Sequence, residues 1–131
     1  TLLYLLLVRS ERIKRDLINK DALNRSDIIF DFIKVTEERF SESRNADYFA
    51  KQMGISYKHL NNICKQTLHK TAKTFIDEYI ILMSKRYLVC YDMSVRQISD
   101  AAGFDEATNF VKYFRKHTGV SPGQFRSTFH S

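Results

Sequence analysis

Four polar side chains recur at helical spacing near the middle of the chain. They stand at positions i, i+3, i+4 and i+7, which would place them on one face of a helix; they are Lys58, Asn61, Asn62 and Lys65. An Asn amide can form two hydrogen bonds with adenine, and a Lys ammonium can bond guanine O6 and N7 or a phosphate oxygen. Tyr57 lies at the start of the same helix. This chemistry suits contact with nucleic acid, and it equally suits an ordinary solvated helix face.

A second set with related chemistry lies about fifty residues further along the chain. Its candidates for contact with base edges are Thr108, Asn109, Val111 and Lys112, and its candidates for contact with phosphates are Arg115 and Lys116. A Thr hydroxyl can bond several bases, and a Val methyl can contact the methyl group of thymine. Phosphate contacts, for which Lys65 of the first set is also suited, fix position without specifying sequence.

Each set lies on the second helix of a predicted helix-turn-helix. In the C-terminal copy, about 94–117, Ser94 caps a short helix, Gly103 makes the turn, Phe104 packs under the turn and Asp105 caps the helix that follows. In the N-terminal copy, about 45–67, the matching cap, turn and cap are Asn45, Gly54 and Ser56. The repetition predicts two similar small units.

A long helix over about 74–91 is predicted to join the two copies. About 18 residues at ~1.5 Å each give ~27 Å, which is comparable with the ~34 Å of one turn of B-DNA. A helix over about 27–40 precedes the first copy, and Pro122 opens a short last helix. Beyond the turns the copies align at an offset of fifty residues, as with Phe75 and Phe125.

Composition narrows the possible classes of function. The 131 residues suit one domain, and the single Pro and four Gly favour long helices. A net charge of +6 suits nucleic acid, an anionic membrane or an acidic protein as partner. Cys64 and Cys90 both lie in apolar helical patterns, so we expect two buried free thiols.

Residues that could support catalysis or bind a metal are scattered. No pair of the four His residues has metal-ligand spacing with a third donor nearby. Cys64 and His59 fall in one helical run without an orienting partner, and the sequence has no Gly-rich phosphate-binding loop. The sequence therefore predicts no catalytic site, no metal site and no cofactor.

The N-terminal part of the chain has a different character. Residues 2–20 are predicted to form one helix, which begins with an apolar run over 2–8. That run is far shorter than the ~18 residues of a membrane span, and it lacks the features of a signal peptide. A helix that is apolar all round needs a partner, so residues 2–20 are a candidate contact with a second copy of the chain or with an upstream domain. The alternative is a disordered tail. The polar residues 19–27 predict a linker.

The segment from about 26 to 127 resembles the DNA-binding domain of AraC/XylS-type bacterial transcription regulators. The motifs that carry the resemblance are Val95-x-x-Ile98, Gly103-Phe104, Phe110-x-x-x-Phe114-Arg115-Lys116, Gly119-x-Ser121-Pro122 and Phe125-Arg126. The resemblance implies an all-α fold of two helix-turn-helix subdomains, each a homeodomain-like three-helix unit, joined by a long linker helix. It also implies binding in consecutive major grooves of double-stranded DNA.

Members of this family usually carry a ligand-sensing or dimerising domain upstream. The resemblance therefore assigns residues 1–25 to the last helix of a truncated upstream domain plus a linker, and residues 26–131 to the DNA-binding domain. The chain departs from the usual residues at several positions. Ser99 and Ser84 stand where Ala is usual, His69 stands where Gly is usual, Cys64 replaces an aromatic residue and Tyr79 replaces Arg.

The sequence thus predicts a sequence-specific transcription regulator, which is not an enzyme, in the bacterial cytoplasm at the nucleoid. Its predicted partners are double-stranded DNA, RNA polymerase and a second copy of the chain, with no membrane. The alternative is a helical protein-interaction module, derived from such a regulator, that no longer binds DNA. Affinity for DNA that falls steeply with salt would favour the first hypothesis, because neutralised phosphates release counterions.

Overall fold

The computed structural model describes residues 24–130, which form seven α-helices and contain no β-strand within that range. The helices are α1 (residues 24–39), α2 (Ala46–Met53), α3 (Tyr57–Leu68), α4 (Ala72–Cys90), α5 (Val95–Ala101), α6 (Ala107–Thr118) and α7 (Pro122–His130). Helices α1 to α3 form a first unit, α5 to α7 form a second unit, and α4 packs against both. The predicted all-α class and its two helix-turn-helix units are confirmed.

Local signals place the helix starts in the first unit. Asn45 precedes α2, and its side chain accepts a hydrogen bond from the backbone N–H of Asp47. Gly54 ends α2 with φ of 71°, a conformation in which a Cβ atom is strained. The Ser56 hydroxyl oxygen then accepts from the N–H of His59 and starts α3. All three residues act as their types predict.

In the second unit, one predicted helix cap is observed and another is not. Ser94 and Gln97 form a reciprocal capping box at the start of α5, with hydrogen bonds of 3.0 and 2.8 Å. The prediction that Asp105 caps α6 is wrong. The cap position is Glu106, whose side chain makes no capping hydrogen bond, so α6 begins without the side-chain support that α3 receives.

Two helix boundaries also differ from the predicted ones. Residues 24–27 are already helical, although their polar composition predicted a linker. Helix α4 begins at Ala72 rather than near residue 74, because the Thr71 hydroxyl accepts from the N–H of Thr74 and caps the helix earlier. The predicted N-terminal helix and its homodimer contact lie outside the described residues.

Each unit has its own aromatic core. Phe32, Phe49 and Leu60 are fully buried in the first unit, and Phe110 and Phe114 are fully buried in the second. The Phe32 ring also lies 5.1 Å from the Phe75 ring of α4, and the Phe114 ring lies 5.7 Å from the Phe125 ring of α7. The helical spacing of the buried residues in α3 and α6 would also place Thr67 and His117 on the inner faces, but both side chains are exposed.

The two cysteines have different surroundings. Cys64 is buried in the first core, and burial raises the pKa of its thiol to about 11. Cys90 is exposed at the end of α4, so the expectation that both thiols are buried is wrong for this residue. The helical pattern assigned it inward, but α4 ends there and the chain turns away.

The repeat extends to backbone conformation. Gly119 ends α6 with φ of 83°, and His69, fifty residues earlier, ends α3 with φ of 59°. His69 is the one residue other than Gly with positive φ among the described residues. The left-handed helix end is therefore kept in the first unit although the glycine that favours it is missing.

Gly103 lies where the backbones of the two units meet. Its φ is 85°, and a Cβ atom at this position would lie 2.1 Å from the carbonyl oxygen of Ser41, in the loop between α1 and α2. That distance is far inside van der Waals contact, and the three Ser41 atoms that the Cβ would meet all belong to the backbone. Only glycine permits this approach.

We expect Gly103→Ala to lower the free energy of unfolding by about 3 kcal/mol, because left-handed strain and a backbone clash add together. Gly54→Ala is the matched control. Gly54 also has positive φ, but a Cβ there would meet nothing within 4 Å, so a loss of about 1 kcal/mol is expected from strain alone. Urea unfolding of both variants measures the difference, and equal losses would contradict a close approach at Gly103.

Candidate nucleic-acid interface

Helix α3 exposes most of the predicted polar face. Its opposite face is buried through Leu60, Ile63 and Cys64. The exposed predicted residues of α3 are Tyr57, Lys58, Asn62 and Lys65. The buried anchors fix the rotation of the helix, and the polar ends therefore face outward together.

Asn61 is an exception to that face. It is half-buried, and its Oδ1 atom accepts a hydrogen bond of 3.0 Å from the backbone N–H of Ala72, the first residue of α4. A bidentate contact with adenine would require the same oxygen as an acceptor. The position of Asn61 in the structure is therefore that of a support for the linker helix rather than that of a free polar end.

Helix α6 exposes its polar face in the same way. Phe110 and Phe114 are buried on the inner side. The exposed predicted residues of α6 are Thr108, Asn109, Lys112, Arg115 and Lys116. Val111 is half-buried, so less of its side chain is accessible than the helical pattern predicted.

The exposed faces of α3 and α6 are positively charged, although the exposed acids Asp105 and Glu106 lie just before the start of α6. Helices α3 and α6 contain no Asp or Glu, and together they carry five cationic residues: Lys58, Lys65, Lys112, Arg115 and Lys116. Helix α1, by contrast, carries four acidic and three basic residues over 24–39. The positive charge is thus concentrated on the two helices whose exposed faces are polar, and a polyanion would be attracted there.

The chain matches known proteins along most of its length. A family model described as a helix-turn-helix domain matches residues 49–128. A regulator from Chromobacterium violaceum, described as containing an AraC-type DNA-binding domain, superposes with a TM-score of 0.67 at 22% identity, over 80% of this chain and 94% of that one. The chain belongs to the AraC-type helix-turn-helix family.

Two further comparisons are informative about this AraC-type domain. The uncharacterized HTH-type transcriptional regulator YijO of Escherichia coli is 27% identical over 120 residues, which are 89% of this chain and 42% of YijO. This chain therefore spans less than half of that relative. The DNA-binding domain of AdpA, solved in complex with a target DNA, superposes with a TM-score of 0.67 at 17% identity, over 81% of this chain and 92% of that one.

The part of the chain that the structure describes lacks the features of a metal site and of a membrane span. Residues 24–130 contain no group of three or more His, Cys, Asp or Glu side chains that could hold a metal ion. None of the helices described there is long and apolar enough to cross a membrane. The family and the fold are those of transcription regulators.

Some side chains contribute to the candidate interface by holding its helices in place rather than by being exposed on it. The Tyr113 hydroxyl of α6 donates a hydrogen bond of 2.6 Å to Asp77 Oδ1 on α4. Burial, together with this hydrogen bond, raises the pKa of Tyr113 well above its usual range, so the hydroxyl remains a donor. The helical spacing of Phe110, Tyr113 and Phe114 places Tyr113 toward the core. No local spacing relates Tyr113 to Asp77, so the sequence does not predict their hydrogen bond.

The contrast between neighbouring Asn61 and Asn62 provides a test. We expect Asn61→Ala to lower the free energy of unfolding by about 1 kcal/mol, because an N–H at the start of α4 loses its acceptor. Asn62→Ala removes an exposed amide from the same helix turn and should change stability by less than about 0.5 kcal/mol. Urea unfolding distinguishes them. Equal stability of the two variants would show that Asn61 does not hold α4.

Proposed function

We propose that this chain is the sequence-specific DNA-binding part of a transcription regulator, and that α3 and α6 enter successive major grooves on one face of a duplex. The observation that carries the proposal is the duplication: two helix-turn-helix units each present an exposed, acid-free second helix. The second helix is the element that enters the major groove in helix-turn-helix proteins. The similarity in fold to the AdpA domain bound to DNA supports the same use of the fold.

The exposed residues divide into two proposed roles. Lys58 and Asn62 in α3, and Thr108 and Lys112 in α6, lie toward the N-terminal parts of their helices, from which base edges are contacted. Lys65, Arg115 and Lys116 lie further along and are assigned to phosphates. The remaining candidates, Tyr57, Asn109 and Val111, are assigned to the borders of the contact surface.

The geometry of the linker helix supports occupation of adjacent grooves. Helix α4 has 19 residues, which at ~1.5 Å each correspond to about 28 Å. One turn of B-DNA advances by about 34 Å, so a linker helix of this length is comparable with the step between adjacent major grooves on one face of the duplex. Neutralisation of phosphates by cationic side chains, with release of counterions, then supplies much of the affinity.

The remaining parts of the proposal concern the whole protein. We assign the residues before α1 to an upstream domain and linker, and the residues from α1 onward to the DNA-binding domain. The boundary predicted between residues 25 and 26 moves to residue 24, where the described part of α1 begins. RNA polymerase and a second copy of the chain, contacted through residues 2–20, are the proposed protein partners, the latter because of the apolar run over 2–8. A role at promoters places the protein at the nucleoid in the cytoplasm, and the proposal assigns it no catalytic step.

Selection of bound duplexes from a random pool at near-physiological salt tests the proposal. We expect a bipartite motif with halves about 10 bp apart. On the selected duplex, Lys58→Ala and Lys112→Ala should each weaken binding about tenfold, because each removes a contact to a base. Lys34→Ala is the control: Lys34 is exposed on α1, which is not one of the two proposed recognition helices, and its loss should change affinity less than about twofold.

The outcomes separate the proposal from its alternative. Affinity that falls steeply with salt, and falls in the Lys58 and Lys112 variants, supports DNA recognition by both helices. Failure to enrich any motif, together with binding to a protein that does not depend on salt, would indicate an interaction module instead.

A further inference from the structure

The loop between α1 and α2, residues 40–45, touches the second helix-turn-helix unit. Its Ser41 carbonyl oxygen occupies the space where a side chain of Gly103 would lie. Gly103 forms the turn between α5 and α6, which orients the second recognition helix. A backbone segment of the first unit therefore rests directly on the turn of the second.

Arg44, in the same loop, extends this contact to aromatic side chains. Its guanidinium carbon lies 3.9 Å from the centre of the Phe104 ring and 5.7 Å from the centre of the Tyr113 ring. Phe104 is buried at the turn, and Tyr113 is a half-buried residue of α6. A planar cation on aromatic faces is an attractive and directional contact, so Arg44 links the first unit to the second recognition helix.

Helix α4 contributes the polar half of the same contact. Asp77 Oδ1 accepts from the Tyr113 hydroxyl at 2.6 Å and from Lys73 Nζ at 3.0 Å. Lys73 Nζ also donates to the Arg44 carbonyl oxygen at 3.0 Å. The Asp77 side chain is only 13% exposed whereas the Lys73 side chain is 50% exposed, so the network is desolvated mainly at Asp77 and Tyr113.

The loop itself is braced from within the first unit. Arg39 forms an ion pair of 3.1 Å with Glu42, and the Tyr48 hydroxyl donates to the same Glu42 carboxylate. The Asn45 N–H donates to the Ser43 hydroxyl oxygen at 3.0 Å. The bonds to Glu42 tie the loop to α1 and α2, and the bond between Asn45 and Ser43 lies within the loop.

We propose that Arg44, Asp77, Phe104 and Tyr113 form an inter-unit clamp that sets the spacing and angle between α3 and α6, and so determines which separation of operator halves the domain accepts. This inference rests on the proposed function. The clamp residues are positioning residues, because their contacts are with one another and not with the exposed recognition faces.

Apart from the backbone contact between Ser41 and Gly103, the clamp residues are what holds the α6 side of the second unit. The second unit packs on α4 mainly through α5 and α7, and it follows the non-helical segment between α4 and α5. The clamp residues add contacts on the side of the second unit that carries α6. Each extra base pair between operator halves moves one half by ~3.4 Å and turns it by roughly 34–36° about the duplex. A fixed pair of helices cannot follow such a shift without losing contacts to one half.

The test compares duplexes that carry the selected operator with duplexes in which one base pair is added or removed between its halves. The clamp variant is Arg44→Ala with Tyr113→Phe, which removes the guanidinium and the hydroxyl but keeps the Tyr113 ring packed on Phe104. The matched control is Arg86→Ala with Tyr87→Phe. Both control residues lie on α4, with Arg86 exposed and the Tyr87 ring packed on Tyr91.

For the parent chain and the control, one base pair of altered spacing should weaken binding about tenfold or more. For the clamp variant, the loss of affinity caused by altered spacing should fall to about threefold or less. The affinity of this variant for the selected spacing should change by a smaller factor than its spacing penalty changes. An unchanged spacing penalty in the clamp variant would overturn the clamp and leave the proposed function intact. Absence of DNA binding by the parent chain would instead overturn the proposed function, and the clamp with it.

A measurement without DNA guards against loss of folding. Residual dipolar couplings of the free chain should fit one alignment tensor for both units in the parent and in the control. In the clamp variant the couplings of each unit should still fit a folded unit, but the two units should require different tensors. A single shared tensor in the clamp variant would overturn the proposal.

Discussion

The linker helix α4 is held at its two ends by side chains from different units, and the placement of both recognition helices depends on this. At its start, Asn61 of α3 accepts from the first N–H of the helix. At its end, the Arg126 guanidinium of α7 donates to the carbonyl oxygens of Leu88, at 3.1 Å, and Met93. Free N–H and C=O groups at helix ends need such partners. Here Asn61 belongs to the proposed recognition helix α3 itself, and Arg126 belongs to α7, which packs against the proposed recognition helix α6. The ends of one helix thereby fix the positions of two units.

This arrangement divides the residues of the domain into those proposed to contact DNA and those that hold the contacting helices in place. Lys58 and Lys112 belong to the first group, and Asn61 and Arg126 belong to the second. Residues of the two groups can be neighbours on one helix, as Asn61 and Asn62 are on α3. A substitution in either group would weaken DNA binding under this account, but only the second group would also change stability or the relation between the units.

The sequence predicted the features that depend on near neighbours. Asn45, Ser56 and Ser94 were identified as caps because a cap needs only its own side chain and an N–H two or three residues away. The bond from α4 to Asn61 and the contact of Arg44 with the second unit were not predicted. The partner of Asn61 lies 11 residues away in sequence, and the aromatic partners of Arg44 lie in the other unit. The helical pattern shows which face of α3 is polar, but it does not show that a neighbouring helix end will use one amide of that face.

The central claim is that two recognition helices, held at a fixed separation, contact one face of a duplex together. Hydroxyl-radical footprinting of the chain on its selected operator tests this most directly. The account predicts two protected patches on the same face, with centres about 10 bp apart, because adjacent major grooves on one face are one helical turn apart. A single protected patch, or two patches on opposite faces of the duplex, would contradict it.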